Sequence, residues 1–350
     1  MVWLPLLREL GGVCDPYDYE GGDFQEQDYD PTHVDKVEPE TVARLHTFKL
    51  RDAARDIPID DIALAMDILT DKDAFVKHVA PDPEKLKVNK GRASNALYLP
   101  IMMMLASWTL IFPHLDHTMI TCFCLFFTVA KSNGLRRIIF DCRALNAASK
   151  TPPPVNLCQI PEILKMASSI GATHMVSADA RHMFFQIPLP AGTEHFFGLA
   201  CAHVLFKARA LAMGFSFSCF LSQATSWAIT LHVPPGMSSL GVDRKKLKSV
   251  HLPTHVWLTN GTGKRIGFIV IFYDNIGVFC TNATLADQWA KRILINAEFF
   301  NLQLKEMFLL SPTRLKDMLC KSAIPKPISE VEGGNTVTWM SASDRAQSAK

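Results

Sequence analysis

Three short segments hold side chains able to do chemistry. The first is Val176-Ser-Ala-Asp179-Ala-Arg-His-Met-Phe184-Phe-Gln186-Ile-Pro-Leu189. Apolar residues lead into an acid, and a helical turn and a second apolar run follow. An Asp at the end of a buried strand is costly unless it is paired or binds a cation. The same residue would also serve as a helix N-cap, a place that Asp favours. The second segment is Ile269-Val-Ile-Phe272-Tyr273-Asp274-Asn275-Ile-Gly-Val-Phe279. Its apolar flanks predict a hairpin with Asp274-Asn275 as the tight turn, either a plain turn or a rigid tip holding up a carboxylate. The third is Leu211-Ala-Met213-Gly214-Phe-Ser-Phe-Ser-Cys-Phe220. A Gly ahead of a Ser-capped helix lets something approach the backbone closely, although alone it marks only a strand-to-helix turn.

These segments need elements to position them. Residues 131 to about 310 alternate between β-like runs (137–141, 174–179, 196–205, 268–278) and helical stretches (159–170, 216–230, 285–301), an α+β pattern. Ahead of them, residues 41–56 and 59–79 predict two helices, the second on the stripe Ile59, Ile62, Leu64, Ala65, Ile68, Leu69 and Phe75. A linker rich in Pro and Lys covers 80–92. Residues 96–112 run 17 positions without a charge, and 119–130 form a second apolar run. The first is short of the roughly 20 residues usual for a membrane helix, and Pro100 sits near its start. A buried helix and strand fit better than a membrane hairpin through 96–130, and no stable membrane partner is expected.

Composition bounds the rest. The 350 residues carry 36 Lys+Arg against 34 Asp+Glu, and 48% are hydrophobic, enough apolar material to exclude a mostly disordered chain. The 21 Pro and 18 Gly follow no period, which excludes collagenous and coiled-coil readings. Charge is unevenly placed. Residues 15–40 hold ten acids and one base, and residues 41–350 hold 34 bases against 23 acids. The first 40 residues read as an acidic flexible arm, and the basic body favours a polyanionic partner. Nine cysteines without a CxxC give neither a metal knuckle nor a disulfide framework. The chain reads as reduced, hence cytoplasmic or nuclear. The start, MVWLPLLREL, is too short in its apolar run for a signal peptide. Residues 324–350, rich in Pro, Ser, Thr and Gly, read as a disordered tail.

Upstream of the first segment lies Phe126-Phe-Thr-Val-Ala-Lys131-Ser-Asn-Gly134-Leu-Arg-Arg137-Ile-Ile-Phe-Asp141-Cys-Arg143-Ala-Leu145-Asn146. The series K..G..R...D.R.LN, D....FQIPL, MGFS and FYDN, in that order over roughly residues 120–310, resembles the reverse transcriptases of retroelements. The resemblance implies a right-handed polymerase with fingers and an antiparallel palm sheet backed by helices, here over 93–323, behind a helical region at 41–92. It makes Asp179 the first palm carboxylate. Asp274 and Asn275 fall in the place of the YxDD box. Lys131 and Arg137 match finger residues that grip the incoming dNTP, and Phe184 matches the aromatic gate against a ribose 2′-OH. Met213 and Gly214 match the template and nucleotide contact. Lys305 matches a later lysine that protonates the leaving pyrophosphate. The implied cofactor is a pair of Mg²⁺ (or Mn²⁺) ions on Asp179, Asp274 and the Ala180 carbonyl, and the implied partner is a primer–template of RNA or DNA.

Physical chemistry accords with these roles. Phosphoryl transfer needs in-line positioning and charge neutralisation, and two metal ions stabilise the attacking and leaving oxygens. Arg137 suits bidentate phosphate contact and Lys131 a point charge. Two departures stand out. Asn275 replaces the second Asp of the box, which removes a formal charge and should weaken cation binding. An apparent insertion at 233–265 carries Arg244, Lys245, Lys246 and Lys248, either a phosphate-tracking loop or a solvated charge run. After Lys305, 45 residues remain, so neither a full thumb nor an RNase H cluster is expected. The chain reads as a fragment or short product of a polyprotein. Three functions compete: an RNA-directed DNA polymerase, an inactive nucleic-acid-binding remnant of a retroelement, and a protein anchored in a membrane through 96–130.

Overall fold

The structure is a computed structural model, and it describes residues 43–82, 98–114, 120–130, 136–201, 204–311 and 315. The acidic arm, the tail, most of the linker and Lys131 lie outside the described residues.

Three helices open the described chain: α1 (Thr47–Ala54), α2 (Asp60–Thr70) and α3 (Lys72–His78). The predicted stripe is real, since Ile62, Ala65, Ile68 and Leu69 are all buried. The single helix expected over 59–79 is nevertheless broken. Asp71 is extended, at φ −127° and ψ 121°, and its carboxylate accepts the Asp73 N–H at 2.8 Å. A short acidic side chain that bonds a backbone N–H two residues on competes with helix propagation and starts a new helix.

The apolar window at 96–112 folds into α4 (Leu99–Ser107), with Pro100 in its first turn, and β1 (Ile111–His114). The second apolar run is β2 (Phe123–Ala130). Among the described residues no helix is long and apolar enough to cross a membrane. A nine-residue helix followed by sheet strands is not the membrane hairpin considered for 96–130.

Then come β3 (Arg136–Asp141), α5 (Arg143–Ala148), α6 (Ile160–Ile170), β4 (His174–Ala180), α7 (Met183–Gln186), β5 (Gly198–Cys201), β6 (Val204–Ala208) and α8 (Ser216–Leu231). The expected run over 196–205 is thus two strands, which pair antiparallel. The chain continues through β7 (His255–Thr259), β8 (Arg265–Phe272), β9 (Asn275–Cys280), α9 (Ala283–Phe300) and β10 (Leu304–Leu310). The result is a mixed α+β fold with two five-stranded sheets, ordered β1-β6-β5-β2-β3 and β10-β4-β9-β8-β7.

All pairs in the second sheet are antiparallel. Alternation along each strand assigns its faces. Val176, Ala178, Ile269, Ile271, Ile276 and Val278 join the main core, against which α8 and α9 pack. The opposite face places Met175, Phe268, Val270 and Phe279 against Ile163 and Ala167 of α6. There the Phe268 and Phe279 rings stack at 4.6 Å. Further along this same face Asp179, Asn275 and Glu306 occupy neighbouring register positions and are half-buried.

Candidate active site

Asp179 sits near the end of β4, the strand between β9 and β10. Its cross-strand neighbours are Asn275 on one side and Glu306 on the other. The N-cap alternative for Asp179 falls, because the residue lies within the strand and α7 starts only after His182.

The hairpin expected at 269–279 forms, with its turn one residue earlier than Asp274-Asn275. Phe272 pairs with Asn275, so Tyr273 and Asp274 make the loop and Asn275 opens β9. The pairing register, set by buried Ile271 and Ile276 on the core face, decides this shift. The Ala180 N–H donates to the Asp274 carbonyl at 2.8 Å, tying the loop to the end of β4. Two aspartates 95 positions apart in sequence are thereby brought together.

Lys305 reaches the pair from β10. The ladder runs Leu304 opposite Ala180 and then Glu306 opposite Asp179, which leaves Lys305 as an extra residue. A bulge of this kind re-aims a side chain, and the Lys305 Nζ lies 3.8 Å from the Asp179 Oδ2. Burial pushes the Asp179 carboxyl up to about 7, the Asp274 charge adds to it, Lys305 opposes it, and Glu306 raises it further. The Asn275 Nδ2 donates to the Asp274 Oδ1 at 2.8 Å.

The other residues singled out by sequence lie around this centre or apart from it. Phe184 is half-buried on α7 and packs on the main core. Its neighbour Phe185 stacks on His182 at 6.4 Å and meets Phe140 edge-on at 6.2 Å. Met213 accepts the Phe140 N–H at 3.0 Å through its carbonyl. Gly214, at φ +118°, presses so closely on β3 that a Cβ there would meet the Phe140 carbonyl oxygen at 2.1 Å. Only glycine tolerates both conditions. Of Arg137 the backbone alone is described, in β3.

The basic stretch of the insertion is a short 3₁₀ turn, Arg244–Leu247. Arg244 Nη1 lies 3.4 Å from the Asp56 carbonyl and 4.0 Å from its carboxylate, and Lys246 pairs with Asp243 at 3.6 Å. Lys245 and Lys248 are exposed. The segment is fastened to the turn before α2, where Asp60 N–H bonds the Ser249 carbonyl and Leu252 N–H bonds the Asp61 carboxylate, each at 3.0 Å.

Four polar residues without an assigned role in the sequence, Asn146, Gln186, Gln223 and Ser226, bond the backbone around the site. Asn146 donates to the Gly214 carbonyl and accepts the Ser216 N–H, both at 2.8 Å. It therefore caps α8 from a distance, in place of the expected serine cap. The α8 N-cap residue is Phe215, which makes no side-chain cap bond. Gln186, fully buried, donates to the carbonyls of Arg181 and Gln303 and accepts the Gln303 N–H. It joins the turn after Asp179 to the start of β10. Gln223 and Ser226 of α8 bond the backbone of the Tyr273 loop. Their signal was available in the sequence: polar residues within an otherwise apolar helix need buried partners.

The donors fit hard divalent cations in kind. Two carboxylates sharing one site raise each other's proton affinity, and a cation between them relieves this. Among the described residues no cluster of three or more His, Cys, Asp or Glu side chains is arranged to hold a metal ion. The Asn275 amide lies beside the Asp179–Asp274 pair as a neutral group.

No protein-family model matches the chain, and no curated relative matches it. Among solved structures it is similar to a foamy viral protease–reverse transcriptase in complex with double-stranded DNA. The identity is 14% and the TM-score 0.45, over 81% of this chain and 48% of that one. It is also similar to the native prototype foamy virus protease–reverse transcriptase, at 13% identity and TM-score 0.42, over 79% of this chain and 35% of that one. A mutant of the prototype protein matches at 14% identity and TM-score 0.42, over 59% of this chain and 22% of that one. The matches span less than half of each of these longer chains. The likeness is loose at these scores, and the functional reading rests on this chain's own residues.

Proposed function

We propose that this chain is a template-directed nucleotidyltransferase of the reverse-transcriptase type, adding a dNTP to a primer 3′-OH. The observation that carries the reading is the convergence of Asp179, Asp274 and Lys305 at one end of a three-strand seam. In this reading the second sheet with α8 and α9 is the palm, and the first sheet belongs to the fingers.

Asp179 and Asp274 would hold Mg²⁺ (or Mn²⁺), with the Ala180 carbonyl and the Asn275 amide oxygen as neutral donors. When bound, the ions neutralise the transferred phosphoryl group and lower the proton affinity of the primer hydroxyl. The chain's own groups do the remaining work. Lys131 and Arg137 hold the triphosphate, Phe184 excludes a ribose 2′-OH, and Met213 and Gly214 present backbone to template and nucleotide. Lys305, close to Asp179, supplies a proton to the leaving pyrophosphate. Of the basic insertion residues, Lys245, Lys246 and Lys248 are exposed and open to phosphates, while Arg244 is half-buried beside Asp56.

The test is primer extension with Mg²⁺ and with Mn²⁺, on RNA and DNA templates. Asp179→Asn abolishes extension. Asn275→Asp restores the missing charge and raises the rate about tenfold, equivalent to roughly 1.4 kcal/mol in the barrier. Folded wild-type protein that extends no primed template overturns the enzymatic reading. A second reading, an inactive polymerase-fold module that only binds nucleic acid, is favoured by the Asn275 amide engaging the Asp274 Oδ1. That reading expects salt-dependent binding without extension, and Asn275→Asp does not rescue it.

A further inference from the structure

The chain between α7 and β5 collects positive charge. Gly192 stands there at φ +85°, and Lys72, the first residue of α3, lies across it. A Cβ on Gly192 would meet the Lys72 Cδ at 3.2 Å and its Nζ at 3.6 Å. The Glu194 Oε2 accepts the Gly192 N–H at 2.8 Å. His195 follows in a short 3₁₀ turn, Glu194–Phe196, which packs on β6. Its half-buried ring hydrogen-bonds the Gly192 backbone.

Strand β6 brings a third cation. The Ala208 N–H donates to the Phe197 carbonyl at 3.0 Å, and Lys207 stands opposite Gly198, three residues on from His195. Phe206 and Ala208 face the main core, so alternation puts Lys207 on the other face with Leu205. Lys207 is only 9% exposed, yet its ammonium makes no hydrogen bond or ion pair among the described residues. Lysines are rarely so buried without a partner, because an unpaired buried charge is costly. The one acid in the cluster, Glu194, is turned to the Gly192 N–H. Burial lowers the proton affinity of the His195 ring. The Gly192 bond opposes this, the Lys207 and Lys72 charges reinforce it, and Glu194 opposes it weakly. Two ammonium groups therefore act on one imidazole.

We propose that Lys207, Lys72 and His195 form a binding site for a phosphate group, sharing no residue with the aspartate pair. A tetrahedral oxyanion offers an oxygen to each of the three groups and gives Lys207 the counter-charge it lacks. The lysines act as point charges. The anion also favours the protonated imidazole, whose second N–H then becomes a donor. The phosphate is either free in solution or part of a nucleic-acid backbone. The site stands whether or not the chain extends primers.

The test follows the ring signals of His195 by nuclear magnetic resonance in the full chain, assigned with His195→Gln. Inorganic phosphate is titrated near neutral pH at constant ionic strength, with chloride as the reference salt. Wild type shows a saturable shift. Lys207→Met keeps a buried unbranched side chain and removes the charge, and it weakens phosphate binding about tenfold. Lys72→Met, at an exposed position, weakens it about threefold. A His195 signal that phosphate does not move, a shift that chloride reproduces in full, or equal affinity in wild type and Lys207→Met overturns the proposal. Should Lys207→Met not fold, Lys72→Met carries the comparison, and unchanged affinity there is equally fatal. A short DNA duplex then separates the two sources. If the ligand is backbone phosphate, duplex moves the same ring signals, and Lys207→Met makes the slope of log affinity against log salt shallower by about one. Duplex that leaves the His195 signals unmoved, where inorganic phosphate shifts them, assigns the site to the free anion.

Discussion

Asp179 holds its proton more tightly than an ordinary aspartate, because burial and the neighbouring Asp274 both oppose its charge. The consequence for stability has a definite sign. Between the ordinary value of 3.8 and the folded-state value of about 7, the unfolded chain has released this proton and the folded protein retains it. Stability from this group is therefore fully present below about 3.8 and is lost as pH rises through 7. In metal-free protein, Asp179→Asn should raise the melting temperature at pH 8 and have little effect near pH 4. The gain at pH 8 is on the order of a few kcal/mol, since each pKa unit is worth about 1.4 kcal/mol. Thermal melts of both proteins across this range check it, and parallel pH profiles would refute it. A site that is more stable without its carboxylate is the usual cost of placing function in a buried position.

At the level of elements, the closest approach near the site is that of the loop before α8 to β3. Gly214 allows it, and Asn146 locks it by bonding both Gly214 and Ser216. Gly214→Ala places a methyl group against the Phe140 carbonyl and forces an L-residue to φ +118°. Neither neighbour is a flexible side chain, so the strand and loop must separate. A loss of about 2 kcal/mol or more is expected in urea unfolding. A change within about 0.5 kcal/mol, as for an ordinary surface substitution, would show that the contact is slack.

For the whole molecule, charge is the governing quantity. Residues 41–350 carry 34 bases against 23 acids, and residues 15–40 carry ten acids and one base. If the body meets nucleic acid, the arm competes for the same field. Removing residues 1–40 should tighten duplex binding at low salt, and the gain should shrink as ionic strength screens the arm. Binding titrations of the full and shortened chains at several salt concentrations test this. Identical affinities at every concentration would mean that the arm does not act on the binding surface.

Much of the framework was legible in the order of residues. The helices expected over 159–170 and 216–230, the strand expected over 174–179 and the hairpin around Asp274 follow from local periodicity, and the structure holds each to within a residue or two. Asp179 and Asp274 stood out as acids at the ends of apolar runs, but taken alone each also read as a cap or a plain turn, and only the ordered series of motifs paired them. Tertiary structure alone decided the rest. It placed the turn at Tyr273-Asp274, made Lys305 a bulge, and drew Asn146, Gln186 and Gln223 to distant backbone groups. Periodicity reports which face of an element is buried. Register and the partners of buried polar atoms depend on where the chain returns, and that is set only when the core closes.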